Sequence, residues 1–160
     1  MARLIIEVPD FGARAVAKLY HDYAPKTVEA LRSVLPFKGP GIHAMRAGRE
    51  VFTLVPKPKS DPGKENQSVF PAPGDLYLFY QPQGYRPMDV PLRFRADKGT
   101  TEYWHIAIWY GRDSLPMTPT GLYPANHFGE IETGLPELAE ACERIRFEGV
   151  KEVSYSIVED

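Results

Sequence analysis

Excess positive charge, long apolar runs and cysteine pairs are all missing from this chain. Its 19 Lys and Arg are outnumbered by 21 Asp and Glu, and the two signs are interspersed. That excludes the basic stripe that a nucleic-acid partner requires. No stretch approaches the ~18 consecutive apolar residues of a membrane span, so no membrane partner is expected. A single cysteine, Cys142, excludes an internal disulfide framework. The opening MARLIIEVPDFG has too short an apolar stretch for a signal peptide, and Glu7 and Asp10 do not fit one. A cytoplasmic location is the resulting expectation. There is no phosphate-cradling glycine loop, no nucleophile elbow around a serine, and no His-Glu-x-x-His spacing. No cofactor and no metal are therefore expected.

What is present is enough apolar residue, 43% of 160 positions, for one sizeable core. The chain reads as one domain over 1–160. Its 16 prolines are not spread evenly: eight fall in two stretches rich in Gly and charge, at 56–73 and 81–100. Both read as long surface loops, of the kind that bind or cover.

ARLIIEV and GARAVAKLY, either side of Pro9-Asp10-Phe11-Gly12, read as a hairpin. A helix is expected from Pro25, which suits a first helical position, with Val28, Leu31, Val34 and Leu35 on one face; Pro36 and Gly39 would stop it. GIHAMRAGREVFTLV reads as two strands around Ala47-Gly48. GDLYLFY and TEYWHIAIWYG are apolar at nearly every position, as in strands buried on both faces. NHFGEIETG reads as a short strand and LPELAEACERI as a second helix, with Leu135, Leu138, Cys142 and Ile145 on one stripe. KEVSYSIVE alternates cleanly, with Val153, Tyr155 and Ile157 on one face. Because the strands come in runs, the fold class is mainly β: a closed barrel of about eight strands capped by two α-helices.

Apolar spacing leaves several residues unexplained. Leu19-Tyr20, Pro25-Lys26-Thr27, Glu29, Arg32 and Leu35 resemble the first-helix signature of the cyclophilins. Phe128-Gly129 to Gly134-Leu135 is similar to the segment that precedes their second helix. The order of elements agrees as well, so the resemblance implies a cyclophilin-like barrel. It does not extend to the prolyl-isomerase site. Where those enzymes carry Phe-His-Arg this chain has Ile42-His43-Ala44, and Thr120 and Ala125 fall near the expected Trp and His. A closer resemblance is to small bacterial and archaeal cyclophilin-like proteins of the DUF3830 type. It is carried by Gly48-Arg49-Glu50-Val51-Phe52, Pro73-Gly74-Asp75-Leu76-Tyr77, and Asn126-His127-Phe128 leading to Gly134-Leu135. That resemblance implies the fold and a cleft, sets Glu50 above its neighbours, and brings no settled activity.

The candidate ligand-binding residues are His43, Arg46, Glu50, Phe52, Tyr77, His105, Asn126 and His127. Arg46 and Arg49 have the forked donors that clamp a carboxylate or phosphate; a solvated hairpin with a surface ion pair is the plainer reading. His43 and Glu50 are further polar anchors, and Phe52 or Tyr77 an apolar wall. Alternation puts Tyr103, His105, Ala107 and Trp109 on one face. There His105 is either an acid/base in a dry pocket or, more commonly, a core histidine bonded to backbone or a tyrosine. Asn126 and His127 open the Phe-Gly strand, with Asn126 either at a site or capping a turn. The expected function is binding of a small anionic or amide-bearing metabolite in a cleft on the barrel. The alternatives are a prolyl isomerase in which Arg46 replaces the missing arginine, or a non-catalytic interaction module, possibly a homo-oligomer.

Overall fold

The computed structural model describes residues 1–81, 103–118 and 121–159. The loop expected at 81–100 lies outside the described residues from 82 onward, as does Thr120.

β1 (Arg3–Val8) and β2 (Ala13–Leu19) form the expected hairpin, joined by a single 3-10 turn at Pro9–Phe11. α1 (Pro25–Arg32) is followed by β3 (Phe37–His43) and β4 (Glu50–Val55). β5 (Gln67–Ser68) is a two-residue strand in the otherwise irregular 56–73 loop. Next come β6 (Asp75–Gln81), β7 (Tyr103–Trp109), and a small hairpin of β8 (Met117–Thr118) and β9 (Gly121–Leu122). β10 (Ala125–Thr133), α2 (Leu135–Glu148) and β11 (Lys151–Val158) complete the chain.

Among the described residues every strand pairing is antiparallel. The strands run β2-β1-β11-β3-β4-β7-β6-β10, and β10 pairs back onto β2, closing a ring of eight. Among the described residues no helix is long and apolar enough to cross a membrane.

Alternate residues of each strand point into this ring. Leu4, Ile6, Ala15, Ala17, Val51, Leu76, Leu78, Ile106, Ile108, Phe128, Val153 and Tyr155 form one buried cluster. α1 adds Val28 and Leu31, and α2 adds Leu138, Cys142 and Ile145. Hydroxyls in this region are paired: those of Thr53 and Tyr155 bond each other at 2.9 Å.

Three expectations change at the element ends. α1 stops at Arg32, not Leu35, and Gly39 does not end a helix but lies inside β3. Pairing decides this: Phe37 to Gly41 are needed opposite Tyr155 to Lys151. The short strand expected at NHFGEIETG is nine residues long, because it closes the ring and pairs with β2, β5 and β6. The two glycines of its motif permit that closure. A Cβ at Gly129 would lie 2.4 Å from the Lys18 carbonyl oxygen, and one at Gly134 2.2 Å from that of Arg14. Gly134 also takes φ +81°, a conformation that favours glycine.

The start of α1 has a specific cause. Ala24, at its N-cap, supplies no capping side chain, so the first amides of the helix lack an acceptor of their own. Glu65, from the 56–73 loop, reaches in instead. Its carboxylate accepts from the Thr27 N–H and hydroxyl, both at 2.8 Å, and from the Lys26 N–H at 3.2 Å. A negative group at a helix N-terminus is also favoured by the helix dipole. Lys26-Thr27 is therefore the docking point for a distant loop.

Candidate functional site

The strands β4, β7 and β6 have a second buried surface, on the outside of the ring. Alternation places Glu50 and Phe52 there from β4, His105, Ala107 and Trp109 from β7, and Tyr77 and Phe79 from β6. All are nearly inaccessible: Tyr77, Ala107 and Trp109 at 0%, Phe79 3%, Phe52 4%, Glu50 5% and His105 6%. The face of β7 read from alternation is the one observed.

The rings on this surface are packed against one another. His105 stacks on Phe79, with centroids 4.6 Å apart and planes 16° apart, and Phe52 lies 5.0 Å from the same imidazole. Tyr77 meets Trp109 edge-on at 5.7 Å. Glu50 sits opposite Trp109 in the ladder, so a buried carboxylate is a cross-strand neighbour of the indole.

Hydrogen bonding sets this surface apart. Among the described residues, the Tyr77 hydroxyl, His105 Nδ1 and Trp109 Nε1 are buried and have no hydrogen-bond partner. Such groups are nearly always paired in folded proteins, and leaving one unpaired costs about 1–3 kcal/mol. His105 Nδ1 thus lacks the hydrogen bond that a core histidine commonly makes. Burial pushes its pKa down to about 3, so the imidazole is neutral. Burial pushes the Tyr77 hydroxyl up; the nearby Ser68 side chain pulls the other way without reaching hydrogen-bond geometry, and Asp75 adds a further push.

His127 stands at the edge of this face, its ring 5.0 Å from Tyr77 and 4.9 Å from Tyr20. Its Nε2 donates to the Gly129 carbonyl at 3.1 Å and lies 3.3 Å from an Asp75 carboxylate oxygen. That carboxylate is itself held by the Ala72 N–H. An imidazole oriented by a carboxylate through Nε2 keeps Nδ1 as its basic nitrogen, the arrangement of a general base. Tyr20 is pushed up by burial and by Glu130, then Asp75 and Tyr77. Nothing in the spacing of Asp75 and His127 announced their contact, because it depends on the register of β10 against β6.

The other three candidates lie elsewhere. Asn126 points toward α1. It donates to Thr27 Oγ1 at 3.0 Å and to the Gly63 carbonyl at 2.8 Å, and accepts from the Glu65 N–H. It also lines a pocket of about 320 Å³ together with Lys64, Tyr80, Trp104 and Tyr123. Tyr123 stacks on Phe79 at 6.2 Å, so this pocket borders the aromatic face. His43 and Arg46 line a different groove, with Arg49 and with Arg146 of α2. Ala44, in the place of the cyclophilin arginine, lines that groove too. The sequence reading therefore put His43, Arg46 and Glu50 in one cleft, whereas the turn between β3 and β4 separates the first two from the third.

Cys142 is buried in the barrel core and its thiol is pushed up by that burial, which makes it inert. Among the described residues no three His, Cys, Asp or Glu side chains are grouped to hold a metal ion.

Comparison with known proteins bears on the family and the fold. Residues 6–157 match the model of the family described as "Protein of unknown function (DUF3830)". The chain belongs to the DUF3830 family. No curated protein matches it. Among solved structures it is similar to "Structure of McbB in complex with tryptophan", at 18% identity and a TM-score of 0.61. That match covers 98% of this chain and 44% of the McbB chain. The DUF3830 chain thus spans less than half of McbB. At that identity the likeness bears on the fold alone, and the barrel is cyclophilin-like.

Proposed function

We propose that this DUF3830 protein binds a small, planar, amide-bearing metabolite against the aromatic face of β4, β7 and β6. The observation that carries the reading is that three of the four buried side-chain polar atoms without partners among the described residues lie together on this face: the Tyr77 hydroxyl, His105 Nδ1 and Trp109 Nε1, the fourth being His21 Nε2. An indole N–H only donates, a phenol both donates and accepts, and a neutral imidazole nitrogen does one or the other according to tautomer. An amide offers a carbonyl acceptor and an N–H donor, so it complements this mixed set. Phe52, Phe79 and the His105 ring supply surface for stacking.

Glu50 is the acidic side chain of this face and stands directly across the ladder from Trp109. Glu50, or His127 with Asp75 behind it, would serve as acid/base if a reaction follows binding.

Thermal unfolding with a probe panel tests the reading. The panel holds small primary amides, aromatic amino acids and their amides (tryptophan included), Xaa-Pro peptides and small carboxylates. A probe at ~100 times its dissociation constant stabilises by about 2.7 kcal/mol. The expected result is a shift with an amide class that shrinks in Tyr77→Phe and Trp109→Phe. No shift with any amide, or an unchanged shift in both variants, would overturn it. The Xaa-Pro arm also reads the prolyl-isomerase alternative, which equal isomerisation rates with and without protein would dismiss.

A further inference from the structure

We infer that the groove between the β3–β4 turn and α2 is a second ligand site, separate from the aromatic face. It takes a small oxyanion on Arg46, Arg49 and Arg146, and couples that binding to a proton on His43.

The groove, about 640 Å³, is lined by three guanidinium groups and His43. The turn supplies Arg46 and Arg49, and Arg146 comes from the last turns of α2, a hundred residues on. Arg49 is held in place by a bond from its Nη1 to the Arg112 carbonyl at 3.0 Å. Arg146 lies 3.6 Å from the Glu143 carboxylate. Planar forked donors are suited to carboxylate and phosphate oxygens.

Behind the groove is a proton chain. His43 Nδ1 lies 2.8 Å from the Ala44 carbonyl, His43 Nε2 lies 2.6 Å from the Tyr110 hydroxyl, and that hydroxyl lies 2.7 Å from Glu143 Oε2. A carbonyl only accepts, so Nδ1 carries a hydrogen. With neutral His43, neutral Tyr110 and ionised Glu143, three contacts share two hydrogens. One extra proton on His43 completes the chain: Nε2–H donates to the Tyr110 oxygen, and Tyr110 O–H donates to Glu143. Phenol ionisation does not supply an alternative, because burial and Glu143 push the Tyr110 pKa up.

Several charges act on that His43 proton. Burial opposes it, the Ala44 carbonyl favours it, Arg146 opposes it and Glu143 favours it. Arg46 and Arg49 border it across the groove. On β11, the neighbouring strand, Lys151 stands opposite Gly41, two residues along β3. An anion among the arginines offsets the opposing positive charges, so His43 takes up a proton as the anion binds. By linkage the anion then binds more tightly as pH falls.

The test uses sulfate, whose charge does not change across the histidine range, with sodium chloride at equal ionic strength as the control. Binding and the His43 ring signals are followed by NMR from about pH 5 to 8. The expected result is saturable sulfate binding that weakens several-fold as pH rises, with the His43 titration moved upward by sulfate. Arg146→Ala should weaken binding about tenfold, the loss of one charge-assisted hydrogen bond worth roughly 1.4 kcal/mol, and Arg146→Lys should restore part of it. His43→Gln should bind sulfate without the pH dependence. Succinate and methyl phosphate, titrated in the same way, distinguish a carboxylate ligand from a phosphate one. Sulfate effects equal to those of chloride, or binding unchanged in both Arg46→Ala and Arg146→Ala, would overturn the site. Sulfate affinity independent of pH in the unmodified protein would overturn the proton coupling. Unfolding midpoints of the variants confirm that lost binding is not lost folding, since Arg46 and Arg146 are exposed.

Discussion

The interior of the ring and the outer face of β4, β7 and β6 are both buried, yet they treat polar atoms in opposite ways. Inside the ring, Tyr155 is nearly inaccessible and its hydroxyl bonds Thr53. Outside, Tyr77 is equally buried and its hydroxyl has no partner among the described residues, like His105 Nδ1 and Trp109 Nε1 beside it. Burial alone therefore does not identify a core. The inner surface is complete in itself, and the outer one has polar atoms left over. A surface that sacrifices stability in this way is the place to look for a ligand.

The largest effect is expected from damage to the inner surface. Ile106 is fully buried in the barrel core, and Ile106→Ala should lower the unfolding free energy by about 2–5 kcal/mol. Denaturant unfolding measures this. A loss well under 1 kcal/mol would mean that the ring interior is not the stabilising core.

A smaller effect is expected at the polar knot that fastens the 56–73 loop to α1. Glu65→Ala leaves the Lys26 and Thr27 amides and the Thr27 hydroxyl without their acceptor. It should cost about 1–2 kcal/mol, the size of a lost helix cap. Slower proteolysis of the wild-type loop than of the variant loop is the second readout. An unchanged midpoint would show that the capping contact is unimportant.

The smallest effect at neutral pH is expected at His105. Its folded pKa lies near 3 and an unfolded histidine near 6.5, so the unfolded chain takes up a proton that the folded barrel refuses. Stability should fall as pH drops from about 6.5 toward 3, with no contribution above that window. Comparing the pH dependence of unfolding in the wild type and His105→Phe isolates this group from the carboxylates. Parallel curves would mean that His105 accepts a proton in the fold.

The barrel was legible because each strand carries its own period. Val153, Tyr155 and Ile157 alternate within one stretch, and so do His105, Ala107 and Trp109. Helix starts were legible from Pro25 and Pro136. Ring closure was not, since it depends on β10 lying between β2 and β6, and only the tight approach at Gly129 reveals why a glycine is needed there. The candidate site was half legible. Glu50, Phe52, Tyr77 and His105 do share one face, with His127 at its edge. Their grouping with His43 and Arg46 failed because a six-residue turn, 44–49, redirects the chain between them. Arg146, Tyr110 and Glu143 gave no local signal, because they reach His43 only through the packing of α2 on the barrel end.

One pair of variants tests the contrast between the two surfaces most directly: Tyr155→Phe and Tyr77→Phe, unfolded side by side in urea without added ligand. Removing the Tyr155 hydroxyl strands that of Thr53, and the loss should be about 1–3 kcal/mol. Removing the Tyr77 hydroxyl takes away a group with no hydrogen-bond partner among the described residues, so the variant should be as stable as the wild type or more so. Equal losses in the two variants would contradict the account, because Tyr77 would then be an ordinary, satisfied part of the core.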